Sequence, residues 1–389
     1  MGKRLLNASV VLTPTEVVEH GAVVVGDDGR IVYVGPTAEA PPVEGQALDL
    51  RGRWLLPGLI DVHVHGGKGV TFGIPRQVAQ DLRLYSEWVA STGVTGFLCS
   101  VDAPDAGTLI QVVEECAAAL AVGLPGAEGL GMHLEGPFLN PAKKGAFNAA
   151  WLRQPTLSEA DGLLRAGRGW IRQITLAPEL PGAQQVAVRM RAAGVVVSLG
   201  HSDSDYDAAS AALRGDFTHV THTFNAQRGF TQREPGVFGA VLASDKVTAE
   251  LIADTIHVHP GAMKVLLRCL GTDRVVLITD AMTAAGLSDG QYDLVGNTVL
   301  VKDGRATLLD GTIAGSTVAL SECVRNVHRQ VGVPLPEAVK MASLNPARAM
   351  GMADRLGSIA AGKDASLIVV DEDMRVWMTM VKGKVVYSE

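Results

Sequence analysis

Two histidines one residue apart, His63 and His65, sit in the run Gly58–Gly67, which reads GLIDVHVHGG. Ile60, Val62 and Val64 alternate with Asp61, His63 and His65, and a period of two puts both imidazoles on one face of a strand. Two imidazoles on one strand face, followed at once by glycines, suit a metal ion held at the carboxyl end of that strand. A bare His-x-His fits two satisfied polar residues near a strand end equally well, so its meaning depends on what other strand ends carry. One apolar run ends His133-Leu134-Glu135-Gly136-Pro137, another ends in His201 after Ser198-Leu199-Gly200, and a third ends in His222 within His222-Thr223-Phe224-Asn225-Ala226. A further run ends Thr279-Asp280-Ala281-Met282. One carboxylate with two histidines makes a three-ligand catalytic zinc site and leaves the fourth position for water, which a divalent cation acidifies towards neutrality. Asp280, arriving from another strand, is placed to act as general base and then as general acid. Each residue alone is as readily structural; five strand ends converging on a hydrolytic metal site is a pattern that chance rarely produces.

The elements that must position these residues follow from the pattern of apolar runs. From Leu56 onward, runs of strand length alternate with helical patterns, which predicts βα units and a parallel sheet. The runs are Leu56–His65, Gly93–Val101, Gly129–Phe138, Ile171–Pro178, Gly194–His201, Phe217–Thr223, Val247–Val258 and Arg274–Met282, with helices between them at Arg76–Ser91, Ala106–Val122, Gln184–Ala193, Tyr206–Arg214 and Pro260–Leu270. Eight such units predict a (β/α)8 TIM-type barrel spanning 56–355, whose active site lies at the carboxyl ends of the strands. An open doubly wound sheet is disfavoured because no Gly-x-Gly-x-x-Gly follows the first strand. Residues 1–55 read as short strands at Ala22–Val25, Ile31–Val34 and Ala47–Leu50, and residues 356–389 read alike at Ser366–Val370, Val376–Met380 and Val385–Tyr387. The two ends are therefore expected to form one small, discontinuous β-sandwich domain. An insertion at 289–315 reads as β-hairpins, either part of a lid or a decorative ribbon, and helices at Leu320–Val331 and Pro336–Met350 lead into the tail.

The chain has 389 residues, 47% of them hydrophobic and 5% aromatic, with 44 glycines, a composition that favours an α/β protein rich in tight turns. A net charge of −7 without a basic block disfavours nucleic-acid or anionic-membrane partners. No apolar stretch reaches the ~18 residues of a membrane span, and Asn7, Thr13, Pro14 and Glu16 interrupt any signal-like run. The four cysteines lack metal-type spacing and read as buried thiols of a reducing compartment, so a cytoplasmic protein is expected.

At this point the chain resembles the N-acetylglucosamine-6-phosphate deacetylases, a branch of the amidohydrolase superfamily of metal-dependent (β/α)8 barrels. The matching motifs are PGLIDVHVH at 57–65, HLEGPFLN at 133–140 with Lys144-Gly145, Gly200-His201-Ser202, and Phe224-Asn225-Ala226. They continue with Arg233-Glu234-Pro235-Gly236, His257-Val258-His259-Pro260, TDAMTAAGL at 279–287 and GTIAGS at 311–316. The resemblance implies that Glu135, His201 and His222 hold a principal divalent metal, and that His63 and His65 hold a second with Glu135 bridging. One or two ions are thus expected, zinc first, with iron, cobalt or manganese accepted by the same ligands. The run Ile171–Pro178 contains no lysine, which argues against the branches that bridge their metals with a carboxylated lysine. The resemblance further implies that Arg233, whose planar fork suits phosphate, acts with the backbone N–H groups of Asn225 and Ala226 and with His257 on an amino-sugar phosphate. It implies a homodimer, in which a neighbouring subunit completes the phosphate end. The expected reaction is hydrolysis of N-acetylglucosamine 6-phosphate to glucosamine 6-phosphate and acetate. The alternatives are another N-acyl sugar as substrate, or a sugar-phosphate binding homologue without catalysis.

Two positions depart from the family pattern. Phe147 stands where the family places a histidine thought to polarise the acetyl carbonyl, and Phe147 cannot donate a hydrogen bond. Thr255 follows Asp254 where a glycine is common. Of the other histidines, His133 shares a face with Glu135 and suits a supporting role, whereas His20, His219, His259 and His328 read as structural.

Overall fold

The computed structural model describes residues 2–42, 44–294 and 296–389. Eight parallel strands form one sheet in strict sequence order: Leu59–Val64, Val94–Val101, Glu128–Glu135, Ile171–Leu176, Val196–Leu199, His219–Val220, Thr248–Ile252 and Val275–Ile278, here barrel strands 1 to 8. The sheet closes at its carboxyl-end rim, where Val64 bridges Ala281, the Asp280 N–H donates to His63 O at 3.0 Å and the His65 N–H donates to Ala281 O at 2.8 Å. This is the (β/α)8 barrel that the alternation of runs predicts.

Amphipathic helices cover the barrel. Tyr206–Arg214 is typical: the Asp205 side chain caps it by accepting from the Ala208 N–H, and it buries Ala209, Ala212 and Leu213. The other end of the barrel is filled by Ile60, Val62, Leu98, Leu130, Ile252, Val276 and Ile278, packed against Ala347 of the chain's last helix and Met350 and Leu356 of the turns that follow it. That apolar plug leaves only the carboxyl-end rim free for polar chemistry.

The two chain ends share a second, eight-stranded sheet. Its order runs Lys384–Ser388, Val376–Val381, Leu367–Val370, Trp54–Pro57, Gly2–Leu12, Val17–Val25 and Ile31–Pro36, with Gly45–Asp49 paired to Gly2–Leu12. The first of the expected barrel runs is therefore split. Leu56 and Pro57 pair antiparallel with Ile368 and Leu367, and the barrel begins at Leu59. Gly58 makes the crossing, because a Cβ there would lie 2.1 Å from Thr95 Oγ1. The expected set of N-terminal strands also lacked Gly2–Leu12, whose broken alternation reflects the register shift between Leu5 and Ala8. Three of the four cysteines are buried, but Cys269 is exposed, contrary to expectation, and all four are free.

The insertion forms a three-stranded antiparallel sheet, Gly290–Leu294, Asn297–Lys302 and Arg305–Leu308. It packs Val299, Val301 and Ala306 onto Met282 and Ala284, just after barrel strand 8. No helix of the described residues is long and apolar enough to cross a membrane.

Candidate functional site

The Glu135 carboxylate, at the end of barrel strand 3, faces two histidine pairs with its two oxygens. Oε2 lies 2.8 Å from His65 Nε2 and 3.3 Å from His63 Nε2. Oε1 lies 2.9 Å from His222 Nε2 and 3.2 Å from His201 Nε2, and those two ring nitrogens stand 3.0 Å apart. Asp280 Oδ1 closes the first group, 3.4 Å from His65 Nε2 and 3.6 Å from His63 Nε2. Five strand ends thus converge, and the donors fall into two groups of metal-binding size: His63, His65, Glu135 and Asp280, and Glu135, His201 and His222.

The backbone aims these groups. His201, His222 and Asp280 all adopt the left-handed conformation, with φ of 47°, 27° and 50°, turning each side chain inward as its strand ends. Asp61 locks the first strand to the last. Its Oδ2 accepts from Thr279 Oγ1 at 2.6 Å, and its Oδ1 accepts from the N–H groups of Thr279 and His63. Burial pushes the Asp61 carboxyl up to about 7, against the pull of those donors.

The ring tautomers leave lone pairs facing inward. Glu250 Oε2 lies 2.9 Å from His63 Nδ1, so that nitrogen donates and His63 Nε2 keeps its lone pair, buried and without a hydrogen-bond partner. His201 Nδ1 likewise donates to Lys143 O at 2.7 Å. The carboxylates around these nitrogens call for positive charge, which either a ring proton or a cation on the same lone pairs can supply. Burial alone would lower His65, but hydrogen bonds to Asp280 and Glu135 lift it to about 10, and His63 is raised well above its ordinary value by Glu135, Glu250 and Asp280 despite burial. Glu135 in turn is held well below the carboxylate range, despite burial, by the surrounding imidazoles. Inward lone pairs, adjacent carboxylates and imidazole–carboxylate donors within 4.8 Å of one another fit a divalent cation.

Beside the cluster lies a cavity of about 320 Å3, which His65, Glu135, His201, His222 and Asp280 help to line. Asn225, Ala226 and His257 line it as well. The Asn225 N–H is already engaged, donating to His222 O at 2.9 Å. His257 Nδ1 is 2.6 Å from Asp254 Oδ2, and that carboxylate's other oxygen accepts the N–H groups of Ile256 and His257. Thr255 in this turn has φ of 67°, the left-handed conformation in which glycine is the ordinary choice. Phe147 lies edge-on to His201 with ring centroids 5.2 Å apart. Leu294, Asn297, Thr312 and Ile313 of the insertion complete the wall, so the insertion is part of the site and not a decorative ribbon. Arg233 is exposed, outside that lining, and among the described residues forms no ion pair with Glu234.

Glu250 is the functional group that sequence reasoning missed. Fully buried on barrel strand 7, it binds His63 Nδ1, His219 Nε2, Gln173 Nε2 and the His222 N–H. The signal was present, as a carboxylate set among apolar residues in the strand-forming first half of the run Val247–Val258. His219 Nε2 meets Glu250, and His133 is hydrogen-bonded to Ser100 and Thr175, with burial and the neighbouring His63 pushing its imidazole well below the ordinary value.

Residues 54–386 match the Amidohydrolase family. The N-acetylglucosamine-6-phosphate deacetylase of Vibrio furnissii is 38% identical, over 86% of this chain and 83% of its own length. The N-acetylgalactosamine-6-phosphate deacetylase of Escherichia coli O157:H7 is 36% identical, over 92% of this chain and 94% of its own. A mutant N-acetyl-D-glucosamine-6-phosphate deacetylase of Mycobacterium smegmatis, solved in complex with N-acetyl-D-glucosamine-6-phosphate, superposes over the full length of both chains with a TM-score of 0.91 and 34% identity. Identity and coverage of this extent, on a barrel whose strand ends gather histidines and carboxylates, place the chain in the amidohydrolase family, in its N-acetylglucosamine-6-phosphate deacetylase branch.

Proposed function

We propose that the protein hydrolyses the acetamide of N-acetylglucosamine 6-phosphate, giving glucosamine 6-phosphate and acetate. The observation that carries this reading is the double histidine frame around Glu135 with Asp280 at its edge, opening into a cavity of sugar-phosphate size. Glu135, His201 and His222 would hold a principal divalent cation, and His63 and His65, with Glu135 shared, a second. Zinc suits this imidazole–carboxylate set first, and iron, cobalt or manganese are compatible with it. A cation there supplies charge that polarises the acyl carbonyl and acidifies water.

Asp280 carries the protons. His63 and His65 keep its carboxyl below the ordinary range although it is buried, so it is ionised at neutral pH. It accepts a proton from the attacking water and then passes it to the departing amine. Glu250 orients His63, and Asp61 keeps Asp280 in register with the strand-1 histidines. Phe147 contributes an apolar edge and no donor, so no side chain at that position assists the carbonyl.

His257 and the turn at Asn225 and Ala226 would take the phosphate-bearing end. Arg233 is exposed and outside the lining of this chain's cavity, so a role on phosphate would need a neighbouring copy, as in the homodimer that the family resemblance implies. A cytoplasmic location accords with an acidic chain carrying four free thiols.

The test is acetate release from N-acetylglucosamine 6-phosphate by protein of measured metal content. The galacto epimer is assayed alongside, because the relative from E. coli is named for that sugar. Binding of the phosphosugar without acetate release at full metal loading would leave a non-catalytic binding protein as the correct reading.

A further inference from the structure

Asp102 directly follows barrel strand 2 and lines the cavity, yet its carboxylate has no assigned task. It belongs to neither group of metal-binding size. It does not cap the next helix, Ala106–Val122, because Asp105 does that. Among the described residues it forms no ion pair and no hydrogen bond to another residue. Burial lifts its carboxyl to about 6, with His65 pulling the other way, so it is mostly ionised at neutral pH. A carboxylate set into a cavity wall without a partner is costly to desolvate unless something entering the cavity donates to it.

The barrel fixes what that donor can be. In a ring of eight strands, strand 2 lies opposite strand 6, and the residues that follow strand 6 include Asn225 and Ala226. On the reading proposed above, the phosphate points to that side, away from the negative charge of Asp102. The acylated nitrogen on carbon 2 must sit at the histidine–carboxylate cluster between the two sides. The ring hydroxyls flanking carbon 2, on carbons 1 and 3, are then the donors turned furthest from the phosphate.

We propose that Asp102 is a substrate-binding residue, accepting a hydrogen bond from the 1- or 3-hydroxyl of the amino sugar and so fixing which way round the sugar phosphate enters. This rests on the deacetylase reading of the site. It assigns a specificity role to a carboxylate that neither grips the cation nor supports the fold.

The test compares N-acetylglucosamine 6-phosphate with its 1-deoxy and 3-deoxy analogues on metal-loaded wild type, D102A and D102N, with metal content and melting temperature measured for each. In wild type, one of the two analogues should lose about 10- to 100-fold in kcat/KM, the range expected for a hydrogen bond to a charged group. D102A should lose a similar factor on the parent sugar, at unchanged metal content, and show no further loss on that analogue. D102N, which keeps an acceptor oxygen, should recover part of the loss. Independent, multiplying losses in D102A, or a D102A variant as active as wild type on the parent sugar, would overturn the assignment of Asp102 and leave the deacetylase reading intact. Absence of acetate release by wild type from the parent sugar would overturn that reading, and this assignment with it.

Discussion

Glu250 Oε2 lies 2.9 Å from His63 Nδ1, and the same carboxylate reaches His219, Gln173 and the His222 N–H, so one buried anion fixes both histidine sides of the cation frame. Outer partners of this kind set ring tautomer and direction. E250Q should weaken divalent-ion affinity by roughly 10- to 100-fold, read by competition with a chromogenic chelator. An unchanged affinity would remove Glu250 from the ion-binding machinery.

Replacing Asp280 separates proton transfer from ion binding. D280N should lower kcat by roughly 10²- to 10⁴-fold, the usual weight of a general acid–base group. The ion held by Glu135, His201 and His222 should stay in place, because Asp280 is not part of that group. Elemental analysis beside steady-state kinetics checks both halves, and near-normal turnover would contradict the assignment.

Stripping the ion should abolish acetate release and lower the melting temperature, since a ligand present at 100 times its Kd adds about 2.7 kcal/mol to the folded state. E135Q should mimic the stripped protein, because Glu135 is shared by both ligand groups. Calorimetry with and without added zinc distinguishes the two cases: wild type recovers its melting temperature and E135Q does not.

Acid stability should depend on a clamp between the barrel and the terminal sheet. Glu128, at the start of barrel strand 3, pairs with Arg355 at 2.9 Å and Lys382 at 2.8 Å, and Arg355 also meets Asp364 at 2.8 Å. Burial would raise Glu128, but the two cations outweigh it and hold its carboxyl below the ordinary value. The clamp's contribution is therefore fully present above pH ~4.5 and is lost as the pH falls through the depressed folded value. E128Q should cost about 1–2 kcal/mol at pH 7, and the gap to wild type should close in acid. Denaturant melts at pH 7 and pH 3 measure this.

The ligand frame was legible because metal-binding side chains at strand ends break an otherwise apolar grammar, and five such breaks recur at βα spacing. Glu250 and Asp102 were not singled out, for different physical reasons. Glu250 lies inside a strand, where only closure of the barrel shows that it meets His63 and His219 from two other strands. Asp102 follows its strand without a motif, and its importance comes from what it fails to contact. The division at Leu56 was blurred because Trp54–Pro57 and Leu59–Val64 are one apolar run on the page but belong to two sheets in space. The insertion left both readings open in sequence, since hairpin signals say nothing of which rim a ribbon leans on.

The left-handed turns at His201, His222 and Asp280 carry one more implication. For residues other than glycine this conformation costs about 1–2 kcal/mol each, a toll the surrounding barrel must absorb. The course of the main chain, and not the guest it receives, therefore dictates the shape of the socket. Swapping one divalent species for another should alter reactivity while leaving the mould itself untouched.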